Sequence, residues 1–295
     1  MQKKIMKWNR KIYFLSLLLS LFALFACDSV DGDDGDKQNK VPHYDLSKPE
    51  RFTMPETLLE ISGISFHKGK NDTIYAIQDE EGKLFRLAWG TKKQYHAKFA
   101  KGGDYEDVSI ANDKVYILKS SGSIYVIDFS DAVYEEIDST TEWKGLLPKG
   151  EYEGLFAEEA TNKLYVLCKN CETDENKDFV TGYILQGGDS VYQTGSFTID
   201  VQSIKPFTGK VKRGFRPSAL TKNPITGEWF ILSAVNKLLV ITDGQWKVKS
   251  AYHLDGNMFN QPEGIAFDSE GNMYISNEGD DLSAGNILKF KRREK

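Results

Sequence analysis

Cysteine and histidine are scarce in this chain, at three and four residues of 295. The histidines (His43, His67, His96, His253) fall in separate segments without metal-ligand spacing. No second Cys or His pair accompanies Cys168 and Cys171, which excludes a structural zinc site. An excess of basic charge is also missing: 38 Lys and Arg against 43 Asp and Glu leave a formal net charge of −5. That balance excludes nucleic acid as the main partner, because phosphate backbones are met by clustered cations. No GxSxG elbow, Walker loop or HExxH is present, so nucleophilic, phosphate-cradling and zincin chemistries have no sequence support. A 3.6-residue apolar period is absent beyond the first 27 residues, and so is any apolar run of the ~20 residues that span a bilayer. Apolar matter itself is ample. At 40 % hydrophobic and 12 % aromatic the chain is neither disordered nor collagen-like, and its Tyr and Phe content leans toward strands.

The charge is unevenly spread. Residues 1–26 carry Lys3, Lys4, Lys7, Arg10 and Lys11 and no acid, followed by a 15-residue apolar run from Ile12 to Ala26. A basic start before a run this short reads as a signal peptide. It ends in Leu24-Phe25-Ala26-Cys27, which resembles a bacterial lipobox, so Cys27 is expected to be lipidated and to become the mature N-terminus. Residues 27–45 then read as the lipidated Cys and an acidic flexible tether, with Asp28, Asp31, Asp33, Asp34 and Asp36 close together. The tether is either a solvated spacer or, since acids after a lipidated Cys resemble surface-export signals, a sorting element. A lipid-anchored cell-envelope location follows, on the outer membrane at its periplasmic face or at the cell surface. The membrane is thus one partner, through the lipid. Residues 46–295 are expected to form a single domain, acting as a monomer.

That domain repeats itself. Five segments share a small or acidic residue, a small residue, an apolar pair, a turn and an aromatic-led strand, at residues 61–80, 105–121, 152–170, 217–234 and 262–278. The matching positions are Ser62, Glu106, Glu153, Ser218 and Glu263, spaced by 44, 47, 65 and 45 residues. A period in the forties with several strands per unit is the signature of an all-β propeller. Five blades are favoured, closed by a strand from the segment Arg51–Glu60. The 65-residue interval holds a hairpin across Gly187-Gly188-Asp189 and a basic stretch from Lys205 to Arg216. A degenerate sixth blade there is the alternative. The basic stretch reads as a solvated loop, or as a site for a phosphate or carboxylate near the channel mouth.

These motifs resemble the SdiA-regulated (YjiK-like) family of bacterial envelope β-propellers over about residues 57–291. The resemblance rests on Glu60-Ile61-Ser62-Gly63-Ile64, Asp79-Glu80, Tyr105-Glu106-Asp107 and Tyr152-Glu153-Gly154-Leu155. It closes with Gln261-Pro262-Glu263-Gly264-Ile265-Ala266-Phe267-Asp268 and Ser276-Asn277-Glu278. It implies a propeller lipoprotein, a link to calcium handling and a comparison with propeller phytases.

Equivalent residues of successive blades form a ring at one mouth of the channel, here Ser62, Glu106, Glu153, Ser218 and Glu263. A second layer is drawn from Asp79, Ser120, Lys169, Ala234 and Glu278. Glu106, Glu153 and Glu263, with Asp79 and Glu278 beside them, repel one another unless neutralised. Ca²⁺ is one counter-charge and Lys169 another. The same glutamates also suit structural duty, accepting backbone N–H groups between blades. Cys168 and Cys171 are expected either as a disulfide closing a local turn or as two free thiols, since a thioredoxin-like motif needs a helix. The leading expectation is a binding module without catalytic machinery, for a small ligand, Ca²⁺ or an envelope protein. The alternative is a Ca²⁺-dependent phosphoesterase or lactonase-like hydrolase using the channel carboxylates. A subunit of a larger outer-membrane assembly is a third reading.

Overall fold

The structure, a computed structural model, describes residues 40–174, 177–211 and 214–294. The leader and Cys27 lie outside the described residues, as do most of the acidic tether and Lys212 and Arg213 of the basic stretch.

The strands form five four-stranded antiparallel sheets. The first strand, β1 (Glu50–Thr53), belongs to the last of them. The first blade is β2 (Ile61–Ser65), β3 (Ile74–Gln78), β4 (Lys83–Leu87) and β5 (Gln94–Lys98). The second is β6 (Tyr105–Ala111), β7 (Lys114–Lys119), β8 (Ile124–Asp128) and β9 (Thr141–Trp143). The third is β10 (Gly150–Glu158), β11 (Lys163–Cys171), β12 (Phe179–Gln186) and β13 (Tyr192–Asp200). The fourth is β14 (Ala219–Lys222), β15 (Trp229–Ser233), β16 (Leu238–Thr242) and β17 (Val248–His253). The fifth is β18 (Pro262–Phe267), β19 (Met273–Asn277) and β20 (Asn286–Phe290), completed by β1. β1 runs antiparallel to β20, from Glu50 opposite Lys289 to Thr53 opposite Asn286. The start of the domain thus closes its end, pairing the edge of β20 that would otherwise be exposed.

The long third interval contains no sixth blade. Its hairpin is the outer half of the third blade, and a short 3₁₀ turn (Val201–Ile204) and one helical turn (Lys205–Thr208) lead on to the fourth.

Sequence and burial agree on why each strand sits where it does. The second strands of the fourth and fifth blades, WFILS and MYISN, are buried at every residue. A strand covered on both faces by neighbouring blades carries continuous apolar side chains rather than alternating ones. The outer strand β13 alternates only near its end and is otherwise exposed. Apolar clusters fill the seams between blades: Tyr116 and Leu118 of the second blade meet Tyr152 and Leu164 of the third. Between β6 and β7, Asn112 and Asp113 both take positive φ, the two-residue turn whose twist matches a hairpin.

The innermost strands are stitched by side chains. Asp107 accepts from Leu155 N of the next blade and from Val108 N, both at 2.8 Å. Ser109 Oγ accepts from Ala157 N at 2.9 Å, and Ser65 Oγ from Ile110 N at 3.2 Å. Ser218 Oγ donates to the Pro262 carbonyl, and Ser276 Oγ to the Ser62 carbonyl, each at 2.6 Å. The small residue after every ring position but Glu106 has the same cause. A Cβ on Gly63 would fall 2.3 Å from Asp107 Oδ1, and one on Gly264 would fall 2.5 Å from the Ser62 carbonyl oxygen. Only a glycine lets the next blade approach this closely.

Candidate functional site at the acidic channel mouth

The ring positions lie at irregularities of the innermost strands. Register shifts occur between Ile61 and Ile64, between Tyr105 and Asp107, between Tyr152 and Gly154, and between Pro262 and Gly264. Ser62, Glu106, Glu153 and Glu263 are therefore bulge residues, without a ladder partner of their own. A bulge re-aims a side chain out of the sheet, and repeating it around a propeller gathers the re-aimed groups at one mouth. Ser218 precedes β14 and uses its hydroxyl to join the fourth blade to the fifth.

The three ring glutamates feel one another. Burial pushes the Glu106 carboxyl up to about 9, reinforced by Glu153, Asp104 and Glu263 and opposed by Lys169. Burial likewise raises Glu263 to about 8, with Glu153 and Glu278 adding to it and Lys169 and Lys237 opposing. Glu153 rises only to about 7, because Lys169 works against its burial. The Lys169 ammonium bonds to Glu153 Oε1. Burial acts against the charge of Lys169, yet Glu153, Glu263 and Glu106 together hold its pKa above the ordinary value. Glu153 Oε2 is buried and has no hydrogen-bond partner among the described residues.

A second acidic group adjoins the ring. Asp79 is raised to about 6 by burial, then by Glu60 and Glu80, and Glu278 to about 7 by burial, Asp79 and Glu60. Asp79 Oδ1 is also buried without a hydrogen-bond partner among the described residues. Three contributors escaped the sequence reading as site residues. Glu60 stood inside a recognised motif but outside the repeat alignment. Asp104 precedes the Tyr105-Glu106 motif and holds Ser120 Oγ. Lys237, its pKa lowered by burial against the pull of Glu263, bonds the Asn260 carbonyl. Ala234, in the second layer, contributes backbone groups: its N–H donates to Ser218 Oγ and its carbonyl accepts from Lys237 N.

Cys168 and Cys171 are joined by a disulfide, their Cα atoms 6.0 Å apart at the end of β11. Lys169 lies inside this short loop, so the bridge restrains the backbone that presents its ammonium to Glu153.

Carboxylate oxygens are the donors that Ca²⁺ takes, and the two orphaned oxygens suit it chemically. Among the described residues, however, no group of three or more His, Cys, Asp or Glu stands close enough to hold a metal ion as the side chains are placed. The acids are distributed around a mouth, with one ammonium among them, rather than gathered at one point.

Two residues further along each innermost strand the chemistry changes. Ile64, Val108, Leu155, Leu220 and Ile265 are all buried. This apolar belt separates the acidic mouth from the opposite end of the channel.

Comparison with solved structures places the fold among known propellers. A luciferin-regenerating enzyme is 12 % identical, with a TM-score of 0.53 over 83 % of this chain and 95 % of that one. Glutaminyl cyclase from Myxococcus xanthus is 13 % identical, with a TM-score of 0.54 over 83 % and 96 % of the two chains. At such identity the likeness is one of fold alone. No curated protein matches the sequence. The family model described as SdiA-regulated matches residues 212–281, the fourth blade and the first two strands of the fifth, and the chain resembles that family in the motifs quoted above.

Proposed function

We propose that the protein is a non-enzymatic binding propeller, carried on the cell envelope by a lipid at Cys27, whose acidic mouth takes a cation. The observation that carries this reading is Glu153. Its Oε1 is neutralised by Lys169 and its Oε2 is buried with no donor, beside two further carboxyls that burial holds well above their usual range. A buried carboxylate oxygen without a donor costs free energy, which a bound cation would recover. Hydrolysis by a metal-activated water would call on several carboxylates converging on the ion. No such convergence exists among the described residues, so Ca²⁺, whether bound or catalytic, would draw these carboxyls together on entering.

Ca²⁺ is the simplest cation of the class, held by carboxylate oxygens that would shift toward it. An organic amine is the second reading, favoured by the spread of Glu106, Glu153 and Glu263 around the mouth. In a thermal-shift assay at pH 8, a cation at about a hundred times its Kd raises Tm by about 5 °C. CaCl₂ and putrescine serve as the two probes, and Glu263→Gln removes the response. No shift with either probe contradicts the reading.

The anchor has its own test. Cells expressing the full chain and fed radiolabelled palmitate yield a labelled protein in the membrane fraction, and Cys27→Ala yields neither label nor membrane association. Equal labelling of both chains contradicts lipidation at Cys27.

A further inference from the structure

Beyond the apolar belt, the opposite mouth of the channel holds a cavity of about 280 Å³. Its wall continues the repeat, since the residue four past each ring position is Phe66, Ile110, Ala157, Lys222 or Phe267. Three buried hydroxyl residues line it, Ser65, Ser109 and Thr221, at 8 %, 7 % and 5 % exposure, with the exposed Ser269 at the rim. The oxygens of Ser65 and Ser109 accept backbone N–H groups from the next blade, so their protons remain free to be donated. The Thr221 hydroxyl has no hydrogen-bond partner among the described residues. None of the three donates to an acceptor among the described residues. Hydroxyl protons that face a cavity in this way can donate to the oxygen of a bound molecule.

The cations at this rim are already paired. The Lys222 ammonium pairs with Glu158 Oε1 at 2.6 Å and lies over the Trp229 ring. Lys68 pairs with Asp113 at 2.9 Å. Asp268 accepts from Asn71, Asn272 and Tyr274. Both lysines of the rim are thus paired, and the carboxylates of Glu159 and Asp268 have no ion-pair partner among the described residues, so an anion would find no free cation here.

We infer that this cavity is a second binding site, for a small uncharged molecule with an apolar body and a carbonyl oxygen. Phe66, Phe267 and the apolar belt take the body, while Thr221, with Ser65 and Ser109, donates to the oxygen. A pocket that is mostly apolar with a few convergent polar groups is the usual form of such a site. This assignment does not rest on cation binding, because the two mouths share no lining side chain.

The test titrates the full chain in detergent with benzamide and, separately, with benzoate, following amide resonances by NMR. Benzamide is expected to shift the Thr221, Ala157 and Ile265 amides in a saturable way. Benzoate binds at least tenfold more weakly, because its charge must be desolvated without a partner. Thr221→Val keeps the shape, removes one donor and weakens benzamide about fivefold. Ala157→Leu fills the cavity and abolishes binding; unchanged dispersion of resonances elsewhere shows that this variant is folded. The inference is overturned if benzamide causes no saturable shift, if Thr221→Val and Ala157→Leu both bind it as the wild type does, or if benzoate binds equally well. Loss of cation binding at the other mouth, in Glu263→Gln, leaves benzamide binding intact.

Discussion

Between pH 6 and pH 9.5, in EDTA, the protein loses about 8 °C of thermal stability, and the double variant Glu106→Gln, Glu263→Gln loses far less. Both carboxyls are held up by burial first, then by neighbouring acids, to about 9 for Glu106 and about 8 for Glu263. In the unfolded chain each returns to the ordinary value of 4.5. Across that window the folded state holds more protons than the unfolded one, so the stability of the fold falls as pH rises. The contribution is complete below pH 4.5, declines through the neutral range and is lost above the folded values of about 8 and about 9. Water reaching the mouth reduces the effect to about 3 kcal/mol for the pair. A glutamine at each position keeps the shape without the titration. Thermal unfolding followed by circular dichroism across pH checks this, and parallel curves for wild type and variant would contradict it.

The second large effect is expected at Lys169. Replacing it by methionine at pH 8 costs about 3 kcal/mol, or about 8 °C in Tm, because removing one partner of a buried pair strands the other. The stranded group is Glu153, whose Oε1 holds the ammonium and whose Oε2 has no other donor. Lys169 is what keeps the Glu153 carboxyl as low as about 7. Without it that carboxyl rises further, and holding it ionised becomes more costly. At pH 5 the deficit shrinks, since Glu153 is then protonated in either protein. A second substitution, Glu153→Gln, restores most of the loss at pH 8 and isolates the pairwise effect. Had Lys169 been an ordinary solvated cation, its loss would stay within about 0.5 kcal/mol at every pH.

Much of the architecture was legible because propeller blades repeat their buried parts. The second strands sit between neighbouring blades, so each copy must be apolar, and Trp229–Ser233 and Met273–Asn277 could be aligned from residue type alone. The outer strands were not legible. Gln94–Lys98 and Thr141–Trp143 face solvent, and their polar or short sequences carry no strand pattern that distinguishes them from loops. The third blade is what kept a sixth blade open as the alternative to five. Its hairpin is long, with strands of eight and nine residues, which accounts for the length of that interval within five blades.

The site was legible to the extent that it follows the repeat. Glu106, Glu153 and Glu263 share one alignment column, and the bulges that turn them toward the channel occur at that column. Asp107 looked like part of the same acidic motif, yet one residue of offset sends it between blades, where it accepts two backbone N–H groups. Lys237 and Asp104 reach the mouth from connections between strands, where no repeat predicts placement. The hydroxyl-lined cavity at the far end was invisible for a similar reason: Ser65, Ser109 and Thr221 are ordinary strand residues until the blades bring them together.

A calorimetric titration of the full chain with CaCl₂ at pH 8, repeated in two buffers of different ionisation enthalpy, tests the account most directly. The acidic mouth holds protons on Glu106 and Glu263 near neutral pH, and a cation entering it must displace them. The expected result is saturable binding with net proton release to the buffer, abolished in Glu153→Gln, Glu263→Gln and reproduced by putrescine if the ligand is an amine. Heat that does not saturate with either titrant, or binding that survives the double substitution unchanged, would contradict a cation site at this mouth.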